Sequence, residues 1–123
     1  MDTLHKIFVY GTLRQSHSNH QLLENARCYG VGTTVDNYSM YIAGGYPFVV
    51  GTEARYPIVG ELYGVDDETL AKLDKMEGHP HYYARREIAV IVADQEYTAW
   101  MYVRVPHGVL LPSGDFNDAV RIR

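Results

Sequence analysis

The chain has 123 residues, of which 46% are hydrophobic and 21% charged; that is one ordinary globular domain, and the proportions exclude disorder. Its net charge is −4, and the 11 Lys and Arg are scattered, so no basic stripe is present for nucleic acid or an anionic membrane. A single cysteine, Cys28, excludes an internal disulfide and, in an apolar-leaning stretch, is expected as a buried, inert thiol.

The N-terminal segment runs through Asp2 into a short strand-like stretch, which does not read as a signal peptide. No apolar run approaches a membrane span. With one cysteine, these features suggest a reducing, cytoplasmic setting. The 11 tyrosines are strand formers with polar tips, and they suggest a β-rich structure around a partly polar cavity.

Ile7-Phe8-Val9-Tyr10, ended by Gly11, reads as a buried first strand. Ser18 and Gln21 have capping-box spacing, so a short helix is expected to begin there. Three β-like pieces follow, Gly30–Val35, Tyr38–Ile42 and Pro47–Val50, parted by Asp36-Asn37 and Gly44-Gly45, which are turn signals. Pro57–Val65 is the next strand, and Gly60 and Gly64 within it suggest bends or close backbone approach.

Asp66–Gly78 is the clearest helix. Acids crowd its first turn, Gly78 stands at the C-cap position and Pro80 bars continuation. Arg86–Val92 and Tyr97–Val103 then form a hairpin about a polar Asp94-Gln95 turn, and the tail from Pro106 reads as loop. The order implies an α+β fold, a small mixed and mostly antiparallel β-barrel with flanking helices, as one domain over residues 1–123.

Four groups of residues could carry chemistry. At Tyr10-Gly11-Thr12-Leu13-Arg14 a strand leaves the sheet through glycine, and consecutive backbone N–H groups at Gly11, Thr12 and Leu13 can converge on a carboxylate or oxyanion. A tight β-turn holding nothing fits the same residues.

Glu77 shares one helical face with Leu70 and Leu73 (spacing i, i+3, i+7). That face must be buried, so the carboxylate points inward at the negative end of the helix dipole. Desolvation and the dipole both raise its pKa, which suits a base working near neutrality. Fraying of the last turn would instead release Glu77 into water.

His17, His20, His79 and His81 match no standard ligand spacing, so a metal site is not expected there and loop polarity or substrate contact suits them better. Strand alternation sends Tyr83 and Arg85 to one side, Tyr82 and Arg86 to the other, with one side facing the cavity. Gly-x-Ser-x-Gly, P-loop and dinucleotide glycine motifs are all absent.

Taken in order, these residues resemble the γ-glutamyl cyclotransferase-like superfamily, particularly its γ-glutamylamine cyclotransferase branch and small bacterial relatives. Tyr10-Gly11-Thr12-Leu13 is similar to that family's Tyr-Gly-(Ser/Thr)-Leu signature, and Asn19-His20 to the Asn-His that often follows. Gly45-Tyr46-Pro47, Gly60-Glu61-Leu62-Tyr63, Leu73–Gly78, Tyr83 and Arg85-Arg86 resemble its later segments.

The resemblance implies a small mixed β-barrel and a cofactor-independent enzyme acting on a small-molecule γ-glutamyl substrate. In that chemistry the free α-amine attacks its own γ-carbonyl, which releases 5-oxoproline and an amine. Glu77 would be the general acid and base. The backbone at Tyr10, Gly11, Thr12 and Leu13 would hold the substrate together with Tyr83. A non-catalytic module binding a γ-glutamyl or carboxylate ligand in the same cavity is the alternative, and a remover of γ-glutamyl protecting groups would differ only in the leaving amine. Monomer and small homo-oligomer both stay open.

Overall fold

A computed structural model describes residues 4–11, 13–14, 20–24, 26–106 and 108–118. The first strand, β1 (His5–Val9), alternates as its sequence requires. Phe8, and Tyr10 just beyond the strand, enter one apolar cluster, while Ile7 and Val9 enter a second on the opposite face. Both faces are buried, which is why the run is apolar without interruption.

The remaining strands are β2 (Arg27–Thr34), β3 (Ser39–Ala43), β4 (Tyr46–Val50), β5 (Val59–Val65), β6 (Ala84–Val92), β7 (Gln95–Val103) and the short β8 (Val109–Leu110). The last lies where the sequence suggested only loop; it pairs with β3 through Tyr41 and Ile42. Antiparallel pairings run β1-β5-β2-β6-β7, and a parallel pairing of Ile7 with Trp100 joins β7 back to β1. This closes a five-stranded mixed barrel, as the sequence implied, and β4-β3-β8 extend from it as an arm.

One edge of β7 is therefore shared by two strands. β1 meets it at Trp100, and β4 meets it three residues later, Val49 with Val103. The two partners part at that point and leave a fork. Tyr10 spans the fork: its hydroxyl donates to the Tyr102 carbonyl at 2.8 Å and accepts the Val49 N–H at 3.2 Å, satisfying backbone groups that the parting strands leave behind.

One buried cluster joins the barrel's Phe8, Leu62, Val90 and Met101 with Ile58 and with Met40 and Val49 of the arm. Outside it, α1 (Asp67–Glu77) covers Ile7, Val9, Tyr63 and Val65 with Leu70 and Leu73. The N-cap Asp66 side chain accepts the Thr69 N–H at 2.8 Å. At the other end Gly78 takes the left-handed conformation (φ 68°), and the Asp74 carbonyl accepts the His79 N–H at 2.9 Å. The His79–Pro80 peptide is cis.

Several sequence expectations need correction. The expected helix near Ser18 is a 3₁₀ turn, His20–Leu23, and Ser18 itself lies outside the described residues. The hairpin turn is Ala93-Asp94 rather than Asp94-Gln95, since Val92 pairs with Gln95 and both central residues have positive φ (50° and 65°); that twist matches the flanking strands. Cys28 is exposed. A register shift interrupts the alternation between Cys28 and Gly30, and Tyr29 packs against the barrel cluster while Cys28 is left exposed.

Gly60 does mark a close approach: a Cβ there would lie 2.4 Å from the Val9 carbonyl oxygen. Among the described residues no helix is long and apolar enough to cross a membrane.

Candidate active site

The fork between β1 and β4 opens into a cavity of about 380 Å³. The end of β1 supplies Tyr10, Gly11 and Leu13; β4 supplies Pro47 and Phe48; β7 and its continuation supply Tyr102 and Arg104. Helix α1 contributes Met76 and Glu77, and the segment after it contributes Tyr82 and Tyr83. Five of the six residues expected at a site thus line one cavity. The sixth, Thr12, lies outside the described residues, as do His17 and Asn19.

Glu77 sits on the helix face that carries the buried Leu70 and Leu73 and is itself partly buried. Burial pushes its carboxyl up to about 7, the direction expected when a carboxylate loses water. The last turn does not fray, because the Gly78 cap closes it and the Glu77 carbonyl accepts the Tyr83 N–H at 3.1 Å. The same chain reversal brings the Tyr83 ring into the cavity, where its hydroxyl donates to the Pro47 carbonyl at 3.3 Å. Burial, then the charge of Glu77, raises the Tyr83 phenol.

The turn after β1 is closed by the Arg14 N–H donating to the Gly11 carbonyl at 3.0 Å. Gly11 is packed so tightly that a Cβ would lie 2.6 Å from Pro47 Cγ. Leu13 is buried beneath, and its carbonyl accepts the His20 ring at 3.0 Å. Burial raises the Tyr10 phenol, with Tyr83 and Glu77 adding to the shift, and its two hydrogen bonds already occupy the hydroxyl. Tyr10 therefore offers the cavity its ring rather than its proton.

Two supporting networks were not legible in the sequence. Arg14, only 5% exposed, lies between Asp115 (2.8 Å) and Glu61 (3.4 Å), and Glu61 in turn accepts the Tyr63 hydroxyl at 2.9 Å. This anchors the turn from below. Asp74, one helical turn before Glu77, accepts two hydrogen bonds from Arg85 (2.9 and 3.1 Å) and one from the Tyr102 hydroxyl at 2.7 Å. Burial pushes the Asp74 carboxyl up, but its bonds to Arg85 and Tyr102 outweigh that and hold it below its ordinary value. Asp74 thereby pins the end of α1 to the barrel.

Arg85 consequently stays out of the cavity, stacked 4.4 Å from the Trp100 ring centre. The expected separation of Tyr82 from Tyr83 also fails: both precede β6, where alternation begins, and both line the cavity. The His79 ring accepts the Arg85 N–H at 3.2 Å, and among the described residues no three His, Cys, Asp or Glu side chains cluster as metal ligands.

Residues 7–118 match the family model described as gamma-glutamyl cyclotransferase, AIG2-like. A protein of Methanocaldococcus jannaschii named "Putative gamma-glutamylcyclotransferase" is 42% identical over 115 residues, covering 91% of this chain and 95% of its own length. The gamma-glutamylcyclotransferase family protein YtfP of Escherichia coli is 37% identical over 116 residues, covering 92% and 96%. The crystal structure of an AIG2-like protein from mouse superposes with a TM-score of 0.79 at 28% identity, over 86% of this chain and 80% of that one. A family-model match over nearly the whole chain, two relatives above 30% identity and a shared barrel agree, and the chain belongs to the gamma-glutamyl cyclotransferase, AIG2-like family.

Proposed function

We propose that the protein is a γ-glutamylamine cyclotransferase working by intramolecular aminolysis, with Glu77 as its acid and base. The observation that carries this reading is a single carboxylate, raised to about 7 by burial, lining the same cavity as the Gly11–Leu13 turn. A group with that pKa is half ionised near neutrality, so it can both accept and return a proton.

Glu77 takes a proton from the substrate's α-ammonium group. The freed nitrogen attacks the γ-carbonyl carbon, forming the ring C–N bond, and the carbonyl π electrons move to oxygen. Collapse of that intermediate breaks the bond to the departing amine, which takes the proton from Glu77. The ring nitrogen then gives up its surplus proton to the regenerated carboxylate, which passes it to the released amine. The products are 5-oxoproline, with a neutral amide nitrogen, and an ammonium ion. Backbone N–H groups at Gly11, Thr12 and Leu13 hold the glutamyl α-carboxylate, and the Tyr83 ring bounds the reacting half. Because nucleophile and carbonyl belong to one molecule, holding its ends supplies much of the rate, and neither a metal nor a cofactor is required.

The test is incubation with a panel of γ-glutamyl amines and γ-glutamyl dipeptides, with 5-oxoproline measured by mass spectrometry. The reading requires turnover of at least one member and its loss in Glu77→Gln. A Glu77→Gln variant as active as wild type, or a panel with no turnover, would sink it.

A further inference from the structure

Arg104 continues β7 just past its end, where its N–H donates to the Val49 carbonyl at 2.9 Å. Its backbone is therefore fixed at the fork. Its guanidinium lies 4.2 Å from the centre of the Tyr82 ring, 5.2 Å from Tyr83 and 5.4 Å from Phe48, and all three rings line the cavity. Aromatic faces hold a cation in place but do not neutralise it.

Among the described residues three arginines have acids as partners, Arg14 with Glu61 and Asp115, Arg55 with Glu53 and Arg85 with Asp74, and of the others, Arg27, Arg86 and Arg104, only Arg104 lines the cavity. Arg104 forms no such pair among them. Glu77 is the only carboxylate lining the cavity among the described residues, and it forms no ion pair with Arg104. The cavity thus presents a planar cation, partly desolvated by three rings, with its anion still to be supplied.

Tyr82 is 66% exposed and Tyr46 59% exposed, so these residues mark the mouth. The ring nearest Arg104 is the exposed Tyr82, so the guanidinium lies beside the mouth. In the reaction proposed above, on which this step rests, the glutamyl carboxylate is held at the Gly11–Leu13 turn, which leaves the mouth for the departing half of the substrate. We propose that Arg104 is a specificity residue that pairs with a carboxylate on the departing half of the substrate. A guanidinium suits this task because its fork of donors matches a carboxylate.

The experiment compares two pairs of substrates that differ by one carboxylate. One pair is γ-glutamyl-alanine and γ-glutamyl-ethylamine; the other is γ-glutamyl-ε-lysine and γ-glutamyl-cadaverine. The wild type should favour the carboxylate member of at least one pair by about 10- to 100-fold in kcat/KM, the range of one charge-assisted contact. In Arg104→Met that ratio should fall toward one, and Arg104→Lys should restore part of it.

Turnover of both members of each pair at equal efficiency by the wild type would overturn the assignment. So would a ratio unchanged in Arg104→Met, which would leave Arg104 a packing residue. The wild-type comparison needs no variant and decides even if Arg104→Met fails to fold. If no member yields 5-oxoproline, the reaction itself is wrong and this assignment goes with it, an outcome distinct from turnover without preference.

Discussion

The carbonyl of Glu77 accepts the main-chain N–H of Tyr83 at 3.1 Å, so the candidate base and the ring beside it are held by one backbone hydrogen bond across the reversal at Gly78. The charge of Glu77 in turn helps raise the Tyr83 phenol. A short connection after the helix thereby does two jobs: it ends α1 and it walls the cavity.

Glu77→Gln keeps the shape of the side chain and removes its proton chemistry. Turnover should fall by roughly 10²–10⁴. A carboxyl raised from its ordinary 4.5 to about 7 binds more protons folded than unfolded. The contribution of Glu77 to wild-type stability is therefore most favourable below about 4.5, declines as pH rises toward 7 and is level above that. Thermal unfolding should show Glu77→Gln matching wild type at pH 4.5 and melting several degrees higher at pH 8.

The same ionisation sets the acid limb of the rate. The proton-accepting form of Glu77 is the carboxylate, so kcat/KM should fall tenfold per unit well below pH 7, with a midpoint near 7. A pH–rate profile checks this, and a flat profile between pH 5 and 8 would exclude Glu77 as the group that titrates.

Asp74→Ala removes the acceptor for Arg85 and Tyr102. Urea unfolding should show a loss of about 1–3 kcal/mol. As the end of α1 loosens and water reaches Glu77, the acid limb should also move to lower pH. A change in stability with an unmoved limb would make Asp74 a fold residue only.

Gly11→Ala places a methyl group 2.6 Å from Pro47 Cγ. Relieving that contact requires the turn and β4 to separate, at about 1–3 kcal/mol. Activity should drop through KM because the substrate cradle is displaced, and steady-state kinetics beside a melting curve would show both changes.

Arg14→Met removes a guanidinium from between Glu61 and Asp115. Breaking a buried pair from one side costs about 3–5 kcal/mol, large for a domain of this size, and the denaturant midpoint should fall accordingly. Arg14→Lys keeps the charge but not the fork and should fall between the two.

Much of this was legible in local pattern. Leu70, Leu73 and Glu77 share a helical face by spacing alone, and Asp66 and Gly78 announce the ends of α1 by residue type. Short-range rules suffice there because caps, turns and periodicity act over a few residues. Cys28 was misjudged because its surroundings depend on a register irregularity in β2, which leaves no local mark. Arg85 and Arg104 look alike in the sequence, yet one is paired to Asp74 and the other lines the cavity.

The sequence by itself determined the order of the main strands and of α1, the glycine at which β1 ends and the helical face that carries Glu77. Only the tertiary structure decided that these share a cavity, because its walls come from β1, β4 and β7, which meet through parallel pairings of residues 54 to 93 positions apart. The closed barrel alone brings Gly11, Glu77 and Arg104 around one space, and closure is a property of all its strands together.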